Sequence, residues 1–248
     1  MIPKIIHACW FGGKPIPDEY HNYIEGWKKL HPTYEIKIWT EKEFEPYLGD
    51  STFIKDCIKL KKYGFLADYF RLVVLYEFGG IYIDTDVELL KPLDDFLDSK
   101  IFCCYIFDCL VGTATIGTEP HNPIIKDWLD KLLNDYEKSH QLVVNNNWIT
   151  QYFLDNFDDF KLNGKEQHLK CGIDIYPRDY FEKITLSNKS RGGYAIHHCG
   201  GSWQTKGRTW YIKLAKRFLP KRLVARVSHK KALKKNYYYQ RYLIDKKK

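Results

Sequence analysis

The 248-residue chain has no run of 18 or more apolar residues, so no transmembrane helix is predicted. Its opening, Met-Ile-Pro-Lys-Ile-Ile-His, enters a strand pattern directly, without the long apolar stretch and small-residue cleavage site of a signal peptide. Seven cysteines (Cys9, Cys57, Cys103, Cys104, Cys109, Cys171 and Cys199) contain no C-x-x-C pair and no regular framework. An odd number in that arrangement argues against a disulfide scaffold and for reduced, mostly buried thiols in a cytosolic protein. The vicinal pair Cys103-Cys104 lies in a predicted buried strand, and no chemistry is assigned to it. No internal repeat and no low-complexity linker interrupts the chain before its tail. The length therefore suits one large α/β domain or two small ones.

What is present is a globular composition, 44% hydrophobic, with an aromatic content of 16% that suits stacking on carbohydrate. The net charge of +8 hides an asymmetry. Residues 207–248 hold fifteen Lys or Arg and one acid, Asp245, for +14, whereas residues 1–206 carry 24 basic and 30 acidic residues, for −6. A mildly acidic body with a strongly basic tail points to an anionic partner for the tail.

Hydrophobic periodicity alternates between strand and helix. Lys4–Trp10 reads as a first strand, followed by the loop Phe11-Gly12-Gly13, which can bring backbone close to a ligand. Pro17 and Asp18 open a helix, Tyr34–Trp39 is a second strand, and Thr40-x-x-Glu43 has capping-box form. Phe65–Phe78 is helical and Ile81–Asp84 a short buried strand. Pro92 and Asp94-Asp95 mark a turn, then Ile101–Phe107 and Leu110–Gly117 are strands. Pro123–Tyr136 and Trp148–Phe157 are helices, and Ile173–Tyr176 and Tyr194–His198 late strands. Such alternation predicts a mostly parallel α/β sheet.

The most informative stretch is Ala67–Glu88, a helix, a diglycine stop, a strand and then Asp84-Thr85-Asp86. Residues two apart on a strand share a face, so Asp84 and Asp86 are predicted to reach one site at the strand's carboxyl end, where open α/β sheets bind ligands. Two close carboxylates repel unless a positive charge lies between them; a hard divalent cation such as Mn²⁺ or Mg²⁺ fits, with a diphosphate completing its shell. An isolated D-x-D is more often a solvated turn. Here Asp68 and Arg71, three apart on the preceding helix, share a face that adds an acid and a base to the same edge; taken alone that pair reads as a surface ion pair of little worth.

This pattern resembles the sugar-binding D-x-D region of family 32 glycosyltransferases, which include yeast mannosyltransferases and bacterial capsule and polysaccharide enzymes, and whose core is similar to that of the clostridial glucosylating toxins. The opening Ile2–Pro17 is similar to that family's first strand and nucleotide loop. Ile175–Phe181 and Tyr194–Trp203 resemble its closing motifs, so the likeness runs from about residue 2 to 203 in the family's order. The resemblance implies a GT-A fold (Rossmann-like, with helices flanking the sheet) over residues 1–206, and a nucleotide-sugar donor. It implies Asp86 as a direct cation ligand, Asp84 on the ribose or on the cation through water, and Asp68 and Arg71 on the donor sugar. Trp10 reads as a core tryptophan from its context and as the base-stacking residue from the resemblance; Gly12 accompanies it in the nucleotide loop. Tyr82 matches a donor-site aromatic but suits a core equally. Adjacent strand residues point opposite ways, so only one of His197 and His198 is expected at the cation, and His198 is the one chosen. Ser202 and Trp203 look like the segment that covers the diphosphate, with Gly200-Gly201 as its hinge. In place of the T-G-P segment of many family members stands Asn145–Thr150, whose asparagines either contact sugar hydroxyls or cap a helix beginning at Trp148.

The family retains anomeric configuration. No carboxylate nucleophile is evident in the sequence, so front-face attack is implied. In the tail, apolar and basic residues interleave at helical spacing from Trp210, broken by Pro220, and four tyrosines follow (Tyr237, Tyr238, Tyr239, Tyr242). A basic amphipathic segment of this kind reads as an anionic-membrane anchor, or as a solvated charged tail; no nucleic-acid recognition motif accompanies it. The expectation is a cytoplasmic, peripherally membrane-associated transferase. It would use a UDP-sugar, with GDP-mannose as the rival, on a glycan or lipid-linked oligosaccharide acceptor of surface glycan or capsule synthesis. A non-catalytic anionic-membrane binding module is the reading from another class.

Overall fold

The computed structural model describes residues 1–47, 49–182, 193–198, 231 and 233–247. Nine strands lie within them: β1 (Ile5–Cys9), β2 (Glu35–Trp39), β3 (Gly80–Ile83), β4 (Val87–Leu89), β5 (Ile101–Phe107), β6 (Leu110–Thr118), β7 (Gln167–His168), β8 (Ile173–Tyr176) and β9 (Ala195–His197). The helices are α1 (Asp18–Leu30), α2 (Glu41–Phe44), α3 (Thr52–Lys59), α4 (Tyr63–Phe78), α5 (Pro123–Ser139), α6 (Asn145–Asn156) and α7 (Tyr239–Asp245).

Seven strands form the central sheet in the order β2-β1-β3-β6-β5-β8-β7. Five share one direction, with β6 and β7 reversed. The reversal of β6 follows from its connection: only Asp108 and Cys109 separate it from β5, and a two-residue link can join antiparallel neighbours but not parallel ones. Alternation along each strand divides the side chains between two cores. Tyr82, Cys103 and Tyr105 face the layer of α3, α4, α5 and α6. Ile81, Ile83, Phe102 and Cys104 face the layer that holds Ile24 and Trp27 of α1. The vicinal cysteines therefore sit on opposite faces, and all six cysteines among the described residues are free.

Helix α4 is apolar nearly all round because it lies between the sheet and its neighbouring helices, and eight of its residues from Leu66 to Leu75 are buried. It ends at Gly79 (φ 63°), and Gly80 (φ 90°) starts β3. A Cβ on Gly79 would stand 2.7 Å from the Pro120 nitrogen, and one on Gly80 2.7 Å from the Ile5 carbonyl oxygen. The diglycine thus supplies both the positive φ and the clearance that bring α4 directly into the sheet.

Behind this junction His7 is fully buried. Its Nδ1 accepts from the Trp39 indole N–H at 3.1 Å, which leaves Nε2–H to donate to the Gly79 carbonyl at 3.0 Å. Burial, with Lys37 adding to it against the Gly79 bond, lowers its pKa to about 4. A histidine whose folded pKa is depressed stabilises the fold fully above its unfolded value near 6.5, and that stability is lost as pH falls from there toward 4. Denaturant unfolding at pH 7.5 and pH 5 should show a loss of about 2 kcal/mol from this group. In His7→Gln the same pH step should remove less.

Within the stretch expected to be a basic tail, the described end, residues 238–245, packs on the body of the fold. Tyr238 and Tyr242 are buried against the main core rather than presented to a membrane. The Tyr238 hydroxyl donates to the Asn147 carbonyl at 2.9 Å, on α6. Asp245, 1% exposed, accepts from the Leu162 N–H at 3.0 Å and pairs with Arg241 at 2.9 Å. An amphipathic aromatic pattern buries equally well in protein or lipid, and here α7 finds protein. Trp210, Pro220 and the basic residues up to Lys230 lie outside the described residues. Tyr242→Ala should cost about 3 kcal/mol and lower the thermal midpoint by roughly 6–12 °C, as measured by calorimetry; a solvated tail would show no change.

Candidate active site at the carboxyl edge of the sheet

Strand β3 stops at Ile83, and the next residues form a turn rather than further strand. The Asp84 N–H donates to the Ala114 carbonyl of β6 at 2.8 Å, and the Val87 N–H closes the turn on the Asp84 carbonyl at 3.0 Å. Asp84 and Asp86 are thus brought together by the turn, not by strand alternation. After the turn, β4 pairs antiparallel with β9 in a small second sheet, Val87 opposite His197. The His198 N–H then donates to the Asp86 carbonyl at 3.0 Å, which fixes β9 against the turn.

That register decides which histidine faces the carboxylates. Ligand atoms of Asp84, Asp86 and His197 all lie within 4.8 Å of one another. His197 Nε2 stands 3.3 Å from the Asp86 carboxylate, while Nδ1–H donates to both oxygens of Glu182 at 3.0 Å. His198, the histidine expected from the sequence, instead points away; its Nε2 meets Glu88 at 2.9 Å and its ring stacks on Tyr23 at 4.8 Å. Glu182 was not evident in the sequence, where it belongs to no motif. It is 4% exposed, and burial raises its pKa while His197 opposes the shift. A carboxylate on Nδ1 fixes the histidine tautomer that leaves Nε2 free of its proton, as histidine ligands to metals require. Two carboxylates and one such imidazole are a donor set suited to a divalent cation.

Beside the cluster, Arg71 of α4 is 4% exposed. Its guanidinium reaches Asp84 at 2.8 Å, Asp68 at 3.0 Å and the Thr113 hydroxyl at 2.6 Å, and lies 4.4 Å over the Tyr82 ring. The Asp68–Arg71 pair is therefore part of a buried network and not a surface ion pair. Burial alone would lower the Arg71 pKa, but Asp84 and Asp68 more than offset it and hold the group charged. Asp68 is pushed up to about 6, by burial first and Asp84 second, against the pull of Arg71. Tyr82 is 1% exposed and lies beneath Arg71, so its ring supports the guanidinium from the core instead of opening onto the site. Helix α6 begins at Asn145, three residues earlier than predicted. Asn145 does not cap it: the side-chain amide donates to Thr113 at 2.9 Å and to Asp68 at 3.3 Å.

Trp10 follows the end of β1 on the same edge. It is half-buried, its indole N–H donates to the Lys14 carbonyl at 2.6 Å, and its ring packs edge-on to Tyr20. Gly12 (φ 107°) and Gly13 both turn their N–H groups onto the Glu41 carboxylate at the start of α2, Gly13 at 3.1 Å. A Cβ on Gly12 would press to 3.0 Å from the Tyr63 ring, so the loop path needs glycine there. Ser202, Trp203 and the Gly200-Gly201 hinge lie outside the described residues.

Residues 17–102 match the family described as "Glycosyltransferase sugar-binding region containing DXD motif". An uncharacterized glycosyltransferase of Acanthamoeba polyphaga mimivirus is 27% identical over 231 residues, 88% of this chain and 88% of the viral protein. Inositol phosphoceramide mannosyltransferase 2 of Schizosaccharomyces pombe is 28% identical over 144 residues, 56% of this chain but 39% of that protein, so the chain spans well under half of the fungal relative. Among solved structures, the PaToxG glycosyltransferase superposes with a TM-score of 0.54 at 22% identity, over 62% of this chain and 69% of that one, which shows the shared GT-A fold. With a D-x-D turn at the carboxyl edge of such a sheet and a sugar-binding region of the DXD type over residues 17–102, the chain is a glycosyltransferase.

Proposed function

We propose that the protein transfers a hexose, with retention, from a nucleotide sugar to a glycan or lipid-linked acceptor in surface glycan or capsule synthesis. The observation that carries this reading is the Asp84–Asp86–His197 cluster placed beside the buried Arg71 network on one sheet edge. Asp86, Asp84 and His197 would hold a divalent cation, Mn²⁺ in preference to Mg²⁺ because imidazole completes the set. Bound there, the cation would take up part of the charge developing on the departing diphosphate. Arg71 and Asp68 would fix the hydroxyls of the donor sugar, Trp10 would stack on the base, and Gly12 would let backbone approach the nucleotide. The acceptor oxygen bonds to the anomeric carbon on the face from which the diphosphate departs. The carbon–oxygen bond to the diphosphate breaks with its electron pair, and the diphosphate takes the acceptor's proton.

Trp10 supports a UDP-sugar as donor. GDP-mannose is the second reading, favoured by the names of the S. pombe relatives, which are mannosyltransferases. No helix among the described residues is long and apolar enough to cross a membrane. Peripheral attachment from the cytoplasmic side would fall to the basic residues between 207 and 230, because Tyr238 and Tyr242 are already buried.

The test is nucleotide release from a panel of UDP- and GDP-sugars with Mn²⁺, with and without chelator. Cation-dependent turnover of one donor supports the reading and names the sugar. Chelator-insensitive turnover, or donor binding untouched by chelator, argues against the cation site.

A further inference from the structure

The turn between α3 and α4 and the segment between α5 and α6 meet at one corner of the carboxyl edge. Tyr63 opens α4 with its ring against Gly12, so the turn before it lies on the nucleotide-loop side of the sheet. Phe65 and Val143 line one narrow crevice of about 40 Å³, which makes the two segments neighbours. Eight large apolar side chains are exposed among the described residues, and four of them belong to these two segments: Ile58 at 45%, Leu60 at 56%, Val143 at 50% and Val144 at 48%. Apolar residues exposed singly are ordinary, whereas four gathered at one corner mark a contact surface.

The charge around them is the reverse of the body's. Residues 1–206 sum to −6, yet residues 55–62 hold four lysines against Asp56, and residues 137–144 hold Lys138 against Glu137. Both acids are engaged: Asp56 accepts the Tyr136 hydroxyl at 2.7 Å, and Glu137 accepts the Thr52 N–H at 3.1 Å. Lys55 is paired with Asp50 at 2.6 Å. Lys59, Lys61, Lys62 and Lys138 are exposed and form no ion pair among the described residues. The turn itself is well made. The Lys62 N–H donates to the Cys57 carbonyl at 2.8 Å and the Lys61 N–H to the Ile58 carbonyl at 3.1 Å, which closes α3 in a Schellman motif with Lys61 at φ 54°. A lysine thus stands where the backbone favours glycine.

We propose that this corner docks on an anionic lipid bilayer, with Leu60 and Val144 at the acyl-chain boundary and the lysines among the headgroup phosphates. Aliphatic tips ringed by ammonium groups on long apolar stems suit an interface that is apolar within and anionic outside. A bilayer also needs no shaped pocket. The consequence for the site follows from two connections. Asp68 lies five residues into α4, about 8 Å along its axis, and Val144 directly precedes Asn145, whose amide donates to Asp68. Docking would therefore hold the donor network close to the headgroups and to an acceptor carried on lipid. That consequence rests on the transferase reading above; the docking surface does not.

The test is co-sedimentation of the full chain, at low salt, with vesicles of phosphatidylcholine alone or with about 30% phosphatidylserine. The wild type should bind only the anionic vesicles. Lys59→Gln, Lys61→Gly and Lys62→Gln combined should weaken that binding roughly 100-fold, about fivefold per lysine, and Lys61→Gly suits the left-handed turn. Leu60→Ser with Val144→Ser should weaken it about tenfold. Lys29→Gln, Lys100→Gln and Lys170→Gln combined remove the same charge from the opposite edge, at the end of α1 and before β5 and β8, and should change it little. Equal losses in the two lysine variants, no loss in the corner variants, or a wild type that ignores anionic vesicles overturns the proposal. In the last case an acidic protein segment becomes the occupant. Nucleotide release from soluble donors should be unaltered in every variant. A chain that binds vesicles but releases no nucleotide from any donor fails the transferase reading alone, and one that turns over donor but ignores vesicles fails this one alone.

Discussion

Asp86→Ala is expected to lower sugar transfer by roughly 10³-fold or more, the scale on which removing stabilisation of a developing negative charge is felt. Folding should change little, because the Asp86 backbone, not its side chain, accepts the His198 N–H that holds β9. The informative partner is Glu182→Gln. Glu182 touches no reacting atom. Its two oxygens hold His197 Nδ1–H at 3.0 Å, and its charge raises the basicity of Nε2. The glutamine keeps a hydrogen-bond acceptor but loses the charge, so the cation concentration for half-maximal activity should rise by about 10–100-fold, with much of kcat recovered at saturating Mn²⁺. Glu182→Asp should lie between the two. A purely structural Glu182 would lower the melting temperature and leave the cation titration in place. The same titration with His198→Ala tests the assignment of the histidine, since His198 faces Glu88 and Tyr23 and should leave the midpoint where it is.

The uneven legibility of this site has physical causes. Asp84 and Asp86 were readable because a long apolar helix, two glycines and a short apolar strand leave only one place for them, at the end of β3. Asp68 and Arg71 followed from helical spacing. What failed were features set by pairing over long sequence distances. Strand alternation says that only one of two adjacent histidines faces the site, but which one depends on the register of Val87 with His197. Both strands are three residues long, too short to show a period. Glu182 is a lone acid in no motif, visible only once β9 is in place. Asn145 was misplaced because helix starts are the weakest part of pattern reading: the asparagines looked like a cap, whereas the first of them is already inside α6 and turned toward Asp68. The end of the tail is a different case. Interleaved tyrosines and lysines describe an amphipathic surface without naming its partner, and the protein's own core supplied it for Tyr238 and Tyr242.

Arg71→Met should be the most damaging single change to the fold at this edge, and it separates the network from the individual pairs. Removing the guanidinium leaves Asp68 and Asp84 facing each other with no cation between them, and takes one of its partners from the Thr113 hydroxyl. The expected loss is about 3 kcal/mol, toward the lower end for a buried pair because both carboxylates retain some exposure. Lysine is no substitute: a single ammonium cannot hold Asp68, Thr113 and Asp84 at once while lying flat on Tyr82, so Arg71→Lys should also lose most activity. Asp68→Asn should behave oppositely in stability. Its folded pKa is raised to about 6 from 3.8, so ionised Asp68 works against the fold, and that penalty grows as pH rises from 3.8 to 6 and is fully present above. The asparagine removes it and should be neutral or slightly stabilising at pH 7.5 while activity falls. Wild-type activity should in turn decline as pH drops through about 6, where Asp68 gains its proton and loosens from Arg71. Combining Arg71→Met with Asp68→Asn closes the cycle. If the two act as one unit, the double variant should be clearly more stable than the sum of the single changes implies, since the carboxylate stranded in Arg71→Met is no longer there. Strict additivity in urea unfolding would mean that Arg71 is held by Asp84 and Thr113 alone, and that Asp68 is kept at this edge for the sugar rather than for the arginine.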